Sequence, residues 1–120
     1  MLITREYDDR EKKLVTLVAV RTVNEFTNFH YEIIVQPTVD EHTLRFDIRG
    51  LRAPQVSIPG MGPAIWSSRF GNLNGRFDVV ISKLDREENS YGVRITEREV
   101  IVESGPEKRF IDLVTRKEEW

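Results

Sequence analysis

The chain has 120 residues, no cysteine and a formal net charge of −2. Its length fits one compact domain with one core, and the lack of cysteine excludes disulfides, thiolate nucleophiles and sulfur-ligated zinc. The charge supplies no general attraction for nucleic acid, and the longest mostly apolar run, residues 14–20, is too short to span a bilayer. Because residues 1–10 also lack a secretory signal pattern, we expect a cytoplasmic protein with no membrane association and no cofactor.

The first predicted element is an N-terminal arm. Residues 1–13 mix acidic and basic side chains without an apolar stripe, which predicts either a frayed arm or a short helix. Residues 14–120 then predict a single domain of strands. Residues 14–23 and 29–36 are apolar on both faces, as central strands are, whereas residues 44–49 alternate strictly between apolar and charged.

Short strands continue through the second half of the chain. Residues 77–82 and 91–96 repeat the alternation, and residues 100–103 and 110–114 are further short apolar runs. Turn signals separate the runs at short intervals, at residues 37–42, 71–75, 85–89 and 104–107. Seven or eight short strands with frequent turns predict an all-β fold, an antiparallel sandwich of two packed sheets.

One stretch resembles strand entry in a known class of fold. An apolar residue and a glycine turn precede an alternating strand, in the set Phe70, Leu73, Gly75, Phe77, Val79 and Ile81. This arrangement is similar to immunoglobulin-like and prealbumin-like sandwiches. The resemblance implies that architecture and no particular activity.

An uncharged window covers residues 53–68, although 32% of the whole chain is charged. Three of the five prolines fall in it, so we interpret residues 54–69 as a stiff apolar loop that lies against the core or against a partner. The candidate contact residues are four apolar side chains and the two arginines that bracket them: Arg52, Ile58, Met61, Ile65, Trp66 and Arg69.

Three roles of the window stay open. The loop could close one end of the sandwich, with Trp66 plugging the core. The chain could self-associate through the loop or through an exposed edge strand. The loop could instead bind a different protein or an apolar small molecule, with the arginines contacting an anionic group.

The charges are unevenly distributed along the chain. Residues 45–76 carry a local balance of +4 and residues 85–103 a balance of −3. Either the two segments neutralise each other in the fold, or Arg45, Arg49 and Arg52 form a basic face for an anionic ligand. Nucleic-acid binding would also need aromatic side chains on that face, but Phe46 alternates with the arginines, so it is not expected. Asp47, flanked by two arginines, is expected to form ion pairs.

A metal-dependent role is the alternative from a different class. His30 and Glu32 are two residues apart and share one face of a predicted strand, and His42 could add a third ligand if the turn folds back.

Taken together, the sequence patterns predict a non-catalytic binding or assembly module that contacts another protein or a second copy. The alternative is a small β-fold enzyme or metal-dependent protein that uses His30, Glu32 and His42.

Overall fold

A computed structural model describes residues 1–26, 31–53, 60–71 and 73–120. The strands in this part of the chain are β1 Leu2–Asp8, β2 Lys13–Phe26, β3 Glu32–Val39, β4 Thr43–Arg52, β5 Gly62–Gly71, β6 Gly75–Ser82, β7 Glu88–Ile95 and β8 Val100–Ser104, followed by a 3₁₀ turn at Lys117–Glu119. The all-β prediction is confirmed. Among the described residues, no helix has the length and apolar character needed to cross a bilayer.

The eight strands form one mixed sheet that nearly closes into a barrel. Their order is β1-β2-β5-β3-β4-β6-β7-β8. The β3–β5 and β4–β6 pairs are parallel, and the other neighbours are antiparallel. The predicted sandwich of two antiparallel sheets is not confirmed. Alternation reports which side of a strand is buried, but it does not report which strand lies beside it, so the insertion of β5 between β2 and β3 was not visible in the sequence.

The N-terminal segment differs from the predicted arm or helix. Residues Leu2–Asp8 form β1, which pairs along its whole length with β2. Met1, Leu2 and Ile3 are buried. The prediction weighed the charged residues that follow Thr4 and gave no weight to this apolar start, which anchors the segment in the same sheet as the rest of the chain.

A second missed strand lies in the uncharged window. Residues Gly62–Gly71 form β5, so the predicted loop over residues 54–69 is wrong for residues 62–69. Pro63 is the second residue of the strand, and a proline is tolerated there because ladder pairing is only beginning. Residues 54–59 lie outside the described residues.

The core lies on the concave side of the sheet. Its most deeply buried members come from alternating positions of several strands: Ile3, Val18, Leu44, Phe46, Ala64, Val79, Ile81, Val93 and Ile95. The alternation predicted for residues 44–49, 77–82 and 91–96 is thereby confirmed, because the apolar set of each run is buried or, for Ile48, partly buried against the core.

Residues 105–116, the closing segment, cover part of this core. The strand predicted at residues 110–114 is wrong, since this segment has only an isolated bridge between Val114 and Leu2. Two side chains of β7 hold the segment instead. Tyr91 donates a hydrogen bond to the carbonyl of Ile111, and the buried Asn89 amide bonds the backbone of residues 108, 110 and 111.

Candidate contact surface

The candidate residues in β5 lie on two opposite sides of the strand. Ala64 is buried and Trp66 is partly buried against the core, with its ring 5.9 Å from that of Phe46 in an edge-to-face contact. This is the position expected if the window helps to close the core. Trp66 is therefore a packing residue, and little of it is offered to a partner.

Met61 and Ile65 are exposed instead. The exposed fractions are 67% for Met61, just before β5, and 45% for Ile65, on the outward side of the strand. Ile65 stands opposite Arg21 on β2 and Glu32 on β3. Ile58, the remaining apolar candidate, lies outside the described residues.

Neighbouring strands add exposed apolar side chains around Met61 and Ile65. Together these residues are called the apolar patch: Val23 on β2, Ile34 on β3, Met61 and Ile65. They represent four of the eleven large apolar side chains that are exposed in the described part of the chain. All four lie on, or next to, three consecutive strands of the sheet, whereas the exposed Leu51 of β4 stands opposite the buried Ile33 and so lies on the other side. Such a concentration of exposed apolar residues marks a contact surface more often than scattered single residues do.

The two bracketing arginines are both paired with acids. Arg52 stands opposite Glu32 in the β3–β4 pair, and its Nη2 lies 2.5 Å from Glu32 Oε2. Arg69 Nη2 lies 3.4 Å from Glu6 Oε1. Both arginines are largely exposed, so each pair contributes little to stability. They form a charged rim beside the apolar patch and are not unpaired cations waiting for an anion.

Two of the three side chains predicted as metal ligands, Glu32 and His42, lie far apart. Glu32 begins β3, whereas His42 lies in the turn after β3. An eight-residue strand separates them, which corresponds to roughly 25 Å at about 3.3 Å per residue. His30 lies outside the described residues, and the part of the chain that is described holds no group of three metal-ligating side chains.

The three arginines of the predicted basic face lie at two separate sites. Arg45 and Arg49 lie on the outward side of β4 and line a cleft of 370 Å³ with Ser82 and Arg86. Arg52 is not part of this cleft, because it pairs with Glu32. The three arginines predicted as one anion site are therefore not brought together.

Within the cleft, Asp47 is the centre of a polar network. Ser82 Oγ donates a hydrogen bond of 2.5 Å to Asp47 Oδ1, and Arg45 Nε lies 2.9 Å from the same oxygen. The hydrogen bond from Ser82, followed by the charge of Arg45, lowers the pKa of Asp47 against the opposing effect of burial. Asp47 is therefore a charged structural partner and does not store a proton near neutral pH.

Ion pairs also connect the basic and acidic segments of the chain. Arg45 Nη2 lies 2.7 Å from Glu88 Oε1, and Arg76 Nε lies 3.6 Å from Glu103 Oε1. The expected neutralisation is confirmed for these two pairs. Part of the sequence's charge asymmetry is thus cancelled across strand boundaries.

Comparison with protein-family models, curated proteins and solved structures found no match. The surface residues of this chain are therefore the basis for inferring its function.

Proposed function

We propose that this protein is a non-catalytic binding or assembly module, and that the apolar patch is its contact surface for a second copy or for another protein. The observation that supports the proposal is the clustering of Val23, Ile34, Met61 and Ile65 on three consecutive strands. Covering about 200 Å² of apolar surface stabilises a complex by about 5 kcal/mol at 25 cal/mol per Å², before the entropic cost of association.

The composition of the patch and its rim supports the same proposal. Outward positions on other strands are charged, such as Arg45 on β4 and Arg94 on β7, whereas Ile65 and Ser67 on β5 are not. The Arg52–Glu32 pair lies beside this uncharged region. Interfaces between proteins commonly combine a centre depleted of charge with a polar rim.

Light scattering on matched variants tests the proposal. The Met61→Ser, Ile65→Ser double variant removes the two apolar side chains nearest the start of β5. Leu84→Ser is the control, because Leu84 is well exposed in the β6–β7 turn, away from the patch. Trp66 is left intact, since its contact with Phe46 would make any substitution a test of folding.

We expect the native chain and the control to have the mass of a dimer and the double variant the mass of a monomer. If the native chain is a monomer, the patch serves a different protein, and the native chain should bind the apolar dye anilinonaphthalene sulfonate more strongly than the double variant does. A double variant that matches the native chain in both mass and dye binding would contradict the proposal.

The cytoplasmic location also stays a prediction. It follows from the lack of cysteine, which suits a reducing compartment.

A further inference from the structure

Strand β8 has one unpaired edge. It pairs with β7 from Val100 to Ser104, and the described residues supply no backbone partner on its other side. Beside this edge, where the sheet nearly closes onto β1, lies a groove of 690 Å³. The opposite wall of the groove is built by residues 113–116 of the closing segment and by Thr4 of β1.

The hydrogen-bond pattern determines which backbone groups face the groove. The N–H of Thr96 donates to the carbonyl of Glu99 at 2.9 Å, so these residues close the β7–β8 turn as a hydrogen-bonded pair. Such pairs alternate with unbonded ones in an antiparallel ladder, which makes Arg94–Ile101 the next bonded pair. The N–H and C=O groups of Val100 and Val102 therefore point away from β7 and into the groove.

This edge has one of the usual protections of an exposed strand, an irregularity at Glu103 in its pairing with β7, but apolar side chains are exposed up to that point. The exposed fractions of Ile101 and Val102 are 41% and 39%, and residues 100–103 contain no proline or lysine. Natural edge strands are normally protected by such residues, by bulges or by a covering segment. An apolar, β-branched edge with outward-pointing backbone groups is a template for another strand.

The seam between β1 and β8 already accepts an extended chain on its β1 side. The N–H of Ile3 donates to the carbonyl of Val114 at 3.0 Å, and the N–H of Val114 donates to the carbonyl of Met1 at 2.9 Å. Val114 also lines the groove. The protein's own closing segment thus shows that an extended backbone fits at this seam.

We propose that the groove binds an extended segment of another protein, which adds a strand to the open edge of β8. The segment would carry β-branched apolar residues that cover Ile101 and Val102, and a lysine or arginine that meets Glu99. Glu103 is already held by Arg94 and Arg76, whereas the described residues provide no ion pair for the Glu99 carboxylate. Arg98 and Arg116 also line the groove, and Arg116 is paired with Glu119, so the basic residue of the incoming strand is expected only beside Glu99.

A second copy fits the same edge less well. The twofold pairing of β8 with itself that matches Val100 with Val102 places Ile101 opposite its own copy. The same register places Glu99 opposite Glu103 of the second copy, and like charges directly opposite one another destabilise a strand pair. The proposal is independent of the apolar patch, which lies on different strands.

Three synthetic peptides test the proposal by fluorescence anisotropy. The first is capped Lys-Thr-Val-Thr-Val-Thr-Lys, the second has the same sequence with alternate residues N-methylated, and the third has glutamate in place of both lysines. We expect the first peptide to bind, the second to bind at least tenfold more weakly because it lacks strand donors, and the third to bind several-fold more weakly. The Met61→Ser, Ile65→Ser variant should bind the first peptide as well as the native chain does, which separates this test from that of the proposed function.

Two substitutions in the protein complete the experiment. Val102→Pro removes one outward N–H and leaves the bonds to β7, so we expect at least a tenfold loss of peptide binding, while Val102→Ala keeps the N–H and most of the affinity. If Val102→Pro does not fold, slower hydrogen exchange at Val100 and Val102 of the native chain with peptide present is the replacement measurement. Absence of binding, or binding unaffected by Val102→Pro or by N-methylation, would overturn the proposal. A dimer of the native chain that Val102→Pro abolishes would assign the edge to a second copy and would overturn it too.

Discussion

Strands β7 and β5 have the same alternating geometry but opposite outer surfaces. On β7, Tyr91 and Val93 face the core and are at most 2% exposed, while Arg94 faces outward and pairs with Glu103. On β5, Trp66 faces the core and is only partly buried, and its outward neighbour Ile65 carries no charge.

This difference explains both what was visible in the sequence and where a partner could bind. The outer side of β7 meets water through charged side chains, so its period of two is evident from residue types alone. The outer side of β5 has no charge between Gly62 and Ser68, so the same period is hidden. An uncharged outer side is costly to leave in water, and that cost is the reason for proposing it as a contact surface.

The largest expected effect is a difference in the free energy of unfolding between substitutions on the inward sides of β7 and β5. Tyr91→Ala should lower the free energy of unfolding by about 3–5 kcal/mol, as removal of a fully buried aromatic side chain does. Trp66→Ala should cost clearly less, because part of its ring already meets solvent. Urea denaturation of both variants measures the two losses. Equal losses would mean that the inward side of β5 is as deeply packed as that of β7.

The next effect concerns the polar inward residue of β7. Asn89→Ala would remove the partly buried hydrogen bonds that the Asn89 amide makes with the backbone of Phe110 and Lys108, so we expect a loss of about 2 kcal/mol in the free energy of unfolding. The closing segment should also become more accessible, with faster trypsin cleavage after Lys108 and Arg109. Ser90→Ala, at the exposed neighbouring position, is the control and should change neither quantity. Unchanged cleavage in Asn89→Ala would show that other contacts hold the segment.

The sequence predicted the strands whose two sides differ in polarity. Residues 44–49, 77–82 and 91–96 were placed correctly, because their apolar sets lie on the core side of the sheet and the residues between them lie on the other side. Strand β1 was missed because its apolar start is only three residues long, and β5 was missed because neither side carries charge before Arg69. The order of strands depends on long-range pairing, which no local pattern records.

The candidate surface was predicted in part. Met61 and Ile65 were named, and both are exposed. Trp66 was grouped with them, although its position next to Ile65 would have placed the two on opposite sides once a strand was assumed. The patch residues on β2 and β3 were missed, since they join Ile65 only through the insertion of β5 between β2 and β3.

A smaller effect is expected at the turn that follows β5. Gly75 has a φ of +105° and pairs with Ile95 at the end of β7, and a Cβ placed there would meet no atom within 4 Å. Gly75→Ala should therefore destabilise the fold by about 1–2 kcal/mol through backbone strain alone. Gly71→Ala is the matched control, because Gly71 lacks this backbone conformation and its added Cβ would touch only the end of Lys13. Thermal unfolding of the two variants measures the difference, and equal midpoints would rule out strain at Gly75.

The smallest expected effect concerns the charged outer surface of the sheet, where Glu88 of β7 forms an ion pair with Arg45. The pKa of Asp47 is lowered below its ordinary value of 3.8, first by the hydrogen bond from Ser82 and then by Arg45. The unfolded chain therefore binds a proton at Asp47 at a higher pH than the folded chain does. The stabilisation is complete above the ordinary value and is lost as the pH falls through the lowered one. Between about pH 5 and about pH 2, the free energy of unfolding of the native chain should fall by at most about 1 kcal/mol more than that of Asp47→Asn. Denaturant titrations of both proteins at these two pH values measure the difference. Parallel stability profiles of the two proteins would show that the charge of Asp47 adds nothing to the stability of the fold.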